Sequence, residues 1–316
     1  MSLALLLSAL FTFVELNCEN LFNTQCEDSL RDTEFLPTSV YHWTNGRYWR
    51  KLTRVSQALV ACGSVNGEGL LPDMAVLTEV ENDTVMRDLC RRSPLRTLRY
   101  EWVMTDGPDV RGINVALIYS PFSFRLLNHH SVRIQPPAGF RPTRDLLYCS
   151  GELMSGDTLH VVAVHAPSRT GGEPFSRPYR LRVADRIAAI VDSINRVSVH
   201  PLILIAGDFN DYSTSPSLQR LQAQGLTEVS SKAVGSNGAK ATYRYHGEWG
   251  SLDHILCNAL LAGYLRWCGI ADFPFLLEKD KKYGGVKPHR TYLGPRYFGG
   301  TSDHLPLVAV FQKDCV

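Results

Sequence analysis

Apolar positions along this chain fall into short runs separated by turn-forming residues, with helical spacing in only some segments. Residues 11–17, rich in β-branched and aromatic side chains, predict a strand. In residues 47–61, Tyr48, Leu52, Val55 and Leu59 recur at intervals of three or four, which predicts an amphipathic helix. Residues 74–78 predict a short buried strand ending at Glu79, after which Asn82 caps a second helix reaching Arg91. Strands follow over 98–104, 113–119, 122–128, 145–154 and 158–165, divided by Asp-Gly-Pro, Ser-Pro and Ser-Gly-Asp turns. Residues 177–196 predict a long helix whose stripe is Val183, Ile187, Ile190, Val191 and Ile194. The unbroken apolar run 201–206 predicts a strand covered on both faces. Ser215-Pro216 opens another helix, and 252–257 and 305–311 are the last strands.

Strands interspersed with helices imply an α/β sandwich, two packed sheets with helices outside. A doubly wound nucleotide-binding fold is disfavoured because no GxGxxG follows the first strand. No shift of composition marks a boundary, so residues 1–316 are read as one domain.

Composition adds limits. The 316 residues are 44% hydrophobic and 20% charged, with a formal charge of +2, so whole-chain electrostatics do not announce a nucleic-acid binder. The eight cysteines are scattered without a CxxC pair, which argues against a zinc ribbon or a thioredoxin-type site. The apolar start, residues 1–13, is too short to span a membrane and lacks a basic leader region. It reads either as the remnant of an export signal, over residues 1–10, or as a buried first strand. The first reading is preferred, which favours an exported protein over a cytoplasmic one, and no integral membrane segment is expected.

Polar residues collect where the apolar strands stop. Asn17 and Glu19 follow the first strand, Glu79 the second, and His165 a central one. Asp208 and Asn210 follow the run 201–206, Asp253 and His254 sit on a later strand, and Asp303 and His304 open the last. Singly, these are caps, Asx turns or exposed strand ends. Jointly and in this order, they point to chemistry. Oxygen ligands without cysteine or histidine clusters suit Mg²⁺ or Mn²⁺ rather than zinc. Such an ion can neutralise a phosphate oxygen while a carboxylate or imidazole handles protons.

The segments LNCENLF (16–22), LTEVEN (77–82), VHAPSR (164–169), GDFND (207–211), SLDHIL (251–256) and TSDHLPL (301–307) resemble the endonuclease/exonuclease/phosphatase superfamily, with its DNase-I-like fold. Their order and spacing match across nearly the whole chain. GRYWRKL, RGINVALIYSP, GEWGSLDHI and TYLGPRYFGGTSDHLP look like a bacterial branch of putative nucleases. The resemblance implies a four-layer α/β/β/α sandwich with two mixed sheets. It implies Glu79 as the main metal carboxylate, with Asn17 at the metal and Asp303 in support. Asp208 would orient or deprotonate the attacking water, and Asn210 would hold the scissile phosphate. His304, paired with Asp253, would contact phosphate, and His165 would be the acid for the leaving oxygen. No acidic partner for His165 is evident; Asp106 and Asp109 are the candidates. His254, on the opposite strand face, is read as structural.

For substrate, Arg111, Arg169, Lys287 and Arg290 are the phosphate-binding candidates, and Arg177 and Arg180 are further ones. Residues 277–300 interleave six basic residues with Tyr283, Tyr292, Tyr297 and Phe298, a pattern that suits phosphates and bases and equally suits a solvated loop with aromatic anchors. The favoured reading is a monomeric Mg²⁺-dependent (or Mn²⁺-dependent) endonuclease or exonuclease. Alternatives are a phosphatase or phospholipase-like hydrolase of inositol or lipid phosphates, and an inactive binding protein. A lipid enzyme should show an exposed apolar loop, for which residues 273–277 are the candidate.

Overall fold

The computed structural model describes residues 8–25, 33–65, 67, 69 and 71–314. The expected export remnant lies mostly outside these residues, as do Cys26 and Cys315. Six cysteines, Cys18, Cys62, Cys90, Cys149, Cys257 and Cys268, are free thiols among the described residues. No described helix is long and apolar enough to cross a membrane.

In chain order, β1 (Ser8–Leu21) is followed by α1 (Asn45–Cys62), β2 (Met74–Val80), α2 (Asp83–Arg87), β3 (Glu101–Met104) and β4 (Asn114–Tyr119). Next come β5 (Phe124–Val132), β6 (Leu146–Leu153), β7 (Thr158–His165), α3 (Glu173–Val197), β8 (Leu202–Asp208), α4 (Pro216–Ala223) and β9 (Thr227–Glu228). The last third holds β10 (Tyr243–Tyr245), β11 (Glu248–Gly250), β12 (Asp253–Cys257), α5 (Ala259–Ala262) and β13 (Leu265–Ile270). Short hairpins β14 (Leu277–Lys279) with β15 (Val286–Pro288), and β16 (Tyr292–Leu293) with β17 (Arg296–Tyr297), precede β18 (Leu307–Asp314).

Two six-stranded mixed sheets form the centre, ordered β13-β18-β1-β2-β4-β3 and β5-β6-β7-β8-β12-β9. One core lies between them, built from inward residues such as Phe13, Val76, Val161, Leu204 and Ile255. A second core joins the first sheet to α1 through Tyr48, Leu52, Val55 and Leu59, the stripe read from sequence. A third joins the second sheet to α3 and α4 through Val183, Ile187, Leu218 and Leu221. The result is the expected four-layer α/β/β/α sandwich. Each core excludes water from one interface, and burial of such side chains contributes roughly 1.5–3 kcal/mol apiece.

Boundaries differ where hydrogen bonding overrode propensity. The second helix continues from Arg87 as one wide turn, Asp88–Arg92, and Pro94–Leu98 forms a 3-10 turn, shortening the strand expected from residue 98. The long helix starts earlier than expected, with Pro174 in its first turn, where a missing N–H costs nothing. The segment 277–300, read as a loop, contains two tied hairpins.

Candidate active site

Strand direction gathers the polar strand ends on one side. β1 runs parallel to β2, and β7 parallel to β8, so their C-terminal ends point the same way. Register then sets His165 beside Asp208 on one flank and Asp253 beside Asp208 on the other. Asp208 is thus central to the second sheet's contribution.

Local backbone conformation aims these side chains. Glu19 (φ 47°), Asn20 (φ 56°), Glu79 (φ 58°) and Asn210 (φ 50°) all sit in the left-handed region that non-glycine residues rarely adopt. β1 shifts register between Asn17 and Leu21, and β2 between Thr78 and Val80, so alternation breaks where the cleft begins. Clustering of such conformations marks strain held by the surrounding structure. Gly207 (φ 146°) is required for a different reason: a Cβ there would lie 1.8 Å from the Val164 carbonyl oxygen. Only glycine lets β7 and β8 approach immediately before Asp208.

A cleft of about 700 Å³ opens over these ends. On its floor, Asn17 Nδ2 donates to Asp208 Oδ2 (3.0 Å), and the Asn210 N–H and Nδ2 donate to the same carboxylate (2.8 and 3.2 Å). His165 Nε2 lies 3.8 Å from both Glu79 Oε1 and Asp208 Oδ2. His304 Nδ1 donates to Asp253 Oδ2 at 2.7 Å, and Asp253 is fully buried behind the ring. The backbone N–H of Asn20 holds Glu79 Oε2 at 2.9 Å. Arg290 pairs with Asp303 at 2.6 Å.

Electrostatics divide the groups into two states. Burial, with the neighbouring Asp253, pushes the Asp208 carboxyl up to about 7. Burial opposes a charged His304, but Asp253, Asp208 and Asp303 outweigh it and raise its pKa well above the usual imidazole value. Burial, then Arg144 and Arg111, hold His165 far below that value, so its ring is neutral. A neutral imidazole suits hydrogen bonding better than proton donation. Of its two expected acidic partners, Asp109 pairs instead with Arg144 (3.4 Å), and among the described residues His165 Nδ1 has no hydrogen-bond partner.

Of the twelve residues singled out from sequence, Glu79, Arg111, His165, Arg169, Asp208, Asn210, Arg290, Asp303 and His304 line the cleft. Asn17 and Asp253 stand directly behind it. Lys287 does not reach it; it pairs with Glu278 at 3.4 Å and lines an adjoining groove. Arg180 is also removed from phosphate duty, being 1% exposed with its Nε 2.8 Å from Asp211. His254 is structural as expected, clamped between Glu228 (2.8 Å) and the Asp211 carbonyl (2.8 Å). Among the cleft residues given no role from sequence are Glu19, Arg144 and Tyr243. Glu19 stood at a strand end, a signal present but unused. Arg144 and Tyr243 come from segments whose spacing carries no sign of the cleft. Glu19 accepts the N–H groups of Thr291 and Tyr292 (2.6 and 3.0 Å), and Lys51 Nζ donates to the Glu19 carbonyl, Thr291 and Thr301. These bonds moor the segment carrying Arg290.

Two sets of groups could receive a cation. Asp208, Asp253 and His304 offer ligand atoms within 4.8 Å of one another. The other, Asn17, Glu79 and Asp303, is the all-oxygen set expected from sequence, in which Asn17 Oδ1 accepts the Glu19 N–H at 2.8 Å. In the first set, Asp253 is already hydrogen-bonded to an imidazole held in its charged form. Glu79 and Asp303 are the more open carboxylates, 15% and 20% exposed against 3% for Asp208.

The fold agrees with that of known proteins. The profile of the endonuclease/exonuclease/phosphatase family matches residues 12–313, and the chain belongs to that family. Its members are hydrolases of phosphoester bonds that generally use divalent metals. No match was found among curated protein sequences. Among solved structures, a family protein from Bacteroides thetaiotaomicron shares 12% identity over 98% of this chain and 97% of its own, with a TM-score of 0.62. A mannosyl-6-phosphatase from the same organism shares 14% over 95% and 98%, with a TM-score of 0.61. Truncated TDP2 from Caenorhabditis elegans shares 15% over 96% and 98%, with a TM-score of 0.55. At such identities the likeness is one of fold.

Proposed function

We propose that this protein is a divalent-metal-dependent phosphodiesterase acting on nucleic acid, organised as one catalytic unit over residues 1–316. The observation that carries the reading is Asp208, held by Asn17 and Asn210 within reach of the His304–Asp253 pair. A carboxyl raised to about 7 can accept a proton from an attacking water near neutral pH. Asn210 then presents its amide to a phosphate oxygen in place of its present bond to the Ala166 carbonyl. The charged His304 faces the same phosphate, with Asp253 fixing the ring and its protonation. His165, neutral, orients Asp208 or the leaving oxygen by hydrogen bonding.

Glu79 and Asn17 would hold Mg²⁺ or Mn²⁺, with Asp303 joining once Arg290 turns to the substrate. When bound, the ion supplies charge neutralisation at a phosphate oxygen and stabilises the leaving oxygen. Arg111, beside Glu79 at 3.9 Å, and Arg169, over Tyr212 at 4.7 Å, face the cleft as further phosphate donors.

Nucleic acid is favoured over lipid because residues 273–277 do not form an exposed apolar loop. Leu276 is buried, and Phe273, Phe275 and Leu277 pack against the inter-sheet core. A panel of single-stranded DNA, RNA, inositol phosphates and sphingomyelin, each with Mg²⁺, Mn²⁺ or EDTA, tests this reading. Metal-dependent cleavage of a nucleic acid is expected. Hydrolysis of inositol phosphates with both nucleic acids left intact would overturn the nuclease assignment.

A further inference from the structure

The cleft does not end at the catalytic groups. A groove of about 360 Å³ continues from it past Tyr245, Arg290 and Asp303, which line both, to His246, Lys282, Tyr283 and Lys287. Three rings stand in near-parallel planes along this groove. Tyr245 and His246 have centroids 4.0 Å apart and planes 14° apart, and His246 and Tyr283 lie 6.3 Å and 20° apart. Two of these rings are exposed to an extent unusual for tyrosine, 61% for Tyr245 and 44% for Tyr283.

The row is held in place by the chain around it. The turn between β10 and β11 uses positive φ at His246 (49°) and Gly247 (89°), as tight two-residue hairpins require. A Cβ on Gly247 would lie 2.8 Å from the Tyr283 side chain, so glycine is what allows the ring to close against the hairpin. Arg244 ties this hairpin to the neighbouring one, donating to the carbonyls of Gly247, Gly284 and Val286 (2.9, 2.9 and 2.5 Å).

Charge in the groove is unevenly satisfied. Its carboxylates are engaged: Asp280 accepts the N–H groups of Lys282 and Tyr283, and Asp303 meets Arg290. Lys282 is exposed, its Nζ 4.8 Å from the Tyr283 ring centre. Exposed aromatic faces flanked by a cation, continuous with a phosphoester-cleaving site, fit unpaired bases and the phosphates between them. Bases stacked inside a duplex cannot present their faces in this way.

We propose that Tyr245, His246 and Tyr283, with Lys282, form a track for the single-stranded portion of a nucleic-acid substrate extending beyond the scissile phosphate. The proposal rests on the nucleic-acid reading above. The track makes strand length count, because Tyr283 lines the groove and not the cleft, so only a strand that extends beyond the cleft reaches it.

Fluorescence anisotropy of 5′-labelled oligothymidylates of two, four and eight residues, in EDTA to prevent cleavage, tests the track. Affinity should rise with length, and dT20 should bind more tightly than a 20-base-pair duplex. Tyr283→Ala should weaken dT8 binding about tenfold, the scale of one lost base stack, and shift dT2 much less. Tyr283→Phe should restore the length dependence, and Tyr245→Ala should reproduce its loss. Length-independent affinity, tighter duplex binding or wild-type behaviour of Tyr283→Ala would overturn the proposal. Hydrolysis of bis(p-nitrophenyl) phosphate by the wild-type protein with Mn²⁺ separates the two readings. If it is cleaved while affinity ignores length, the track alone fails. If oligonucleotides bind with length dependence but no phosphodiester is cleaved, the catalytic reading fails and the track stands.

Discussion

The same strands reach two cavities, one at each end of the inter-sheet core, and the two have opposite character. At the end where β1 and β8 begin, a cavity of about 440 Å³ is lined mainly by Leu10, Phe11, Leu153, Met154, Leu202, Leu261 and Phe311. Its charged groups are Lys313 and Asp157, paired at 2.7 Å, and Asp73, which accepts the Thr12 N–H at 2.7 Å. At the end where those strands stop, the cleft gathers Glu79, on strained backbone, with His165, Asp208 and His304, whose protonation is shifted. Concavity is therefore a poor guide to the site here. What separates the ends is convergence of ionisable groups on one volume, which parallel strand pairs produce at their C-terminal ends.

Substitutions at the two ends can break or sharpen that contrast. The largest effect is expected at the cleft: Asp208→Ala or His304→Ala should lower kcat on bis(p-nitrophenyl) phosphate by about 10³-fold or more. Wild-type turnover in either would sink the assignment of the proton-handling groups. At the apolar end, Leu261→Ala should cost about 2–5 kcal/mol of stability in urea titrations, because it enlarges a cavity in the core. Its kcat per folded molecule should stay at the wild-type level; a proportional fall in kcat would show that the ends are coupled.

Glu79→Gln should raise the Mg²⁺ or Mn²⁺ concentration needed for half-activation by roughly 10–100-fold. An unchanged metal titration would move the ion to the Asp208, Asp253 and His304 group. A smaller effect concerns the brace behind the cleft. Burial opposes charge on His254, but Glu228 raises its pKa above the usual value, so its contribution to stability is complete below the unfolded pKa and fades as pH rises through the folded one. Burial likewise opposes charge on Glu228, but His254 lowers its pKa, so that contribution fades as pH falls through the depressed value. His254→Gln should therefore lose most Tm between those limits, and the difference from wild type should narrow on the alkaline side. Smallest of all, Met154→Ser, at a side chain 79% exposed, should move stability by no more than about 0.5 kcal/mol.

Legibility in the sequence followed the range of the interactions. The strand over 158–165 was read to the residue, and 74–78 nearly so, because a buried strand writes its burial into consecutive side chains. The stripes of α1 and α3 were readable for the same reason. Asp208, Asn210, Asp303 and His304 were legible because each sits at the abrupt end or start of an apolar run. Arg144 was not: its place depends on a pairing with Asp109 that no local period encodes. Lys287 was placed at the cleft on composition alone, and hairpin geometry turned it toward Glu278 instead.

The sequence by itself determined which residues lie in the cores, where the strands end and which hard oxygen ligands and imidazoles stand at those ends. Periodicity and local turn chemistry act over a few residues and leave their mark directly in the chain. The tertiary structure alone decided which ends face one another, that His304 is charged while His165 is neutral, and that Tyr245, His246 and Tyr283 align. Protonation depends on burial and on charges brought close from distant segments, and stacking depends on two hairpins tied by Arg244; neither exists until the sheets have paired.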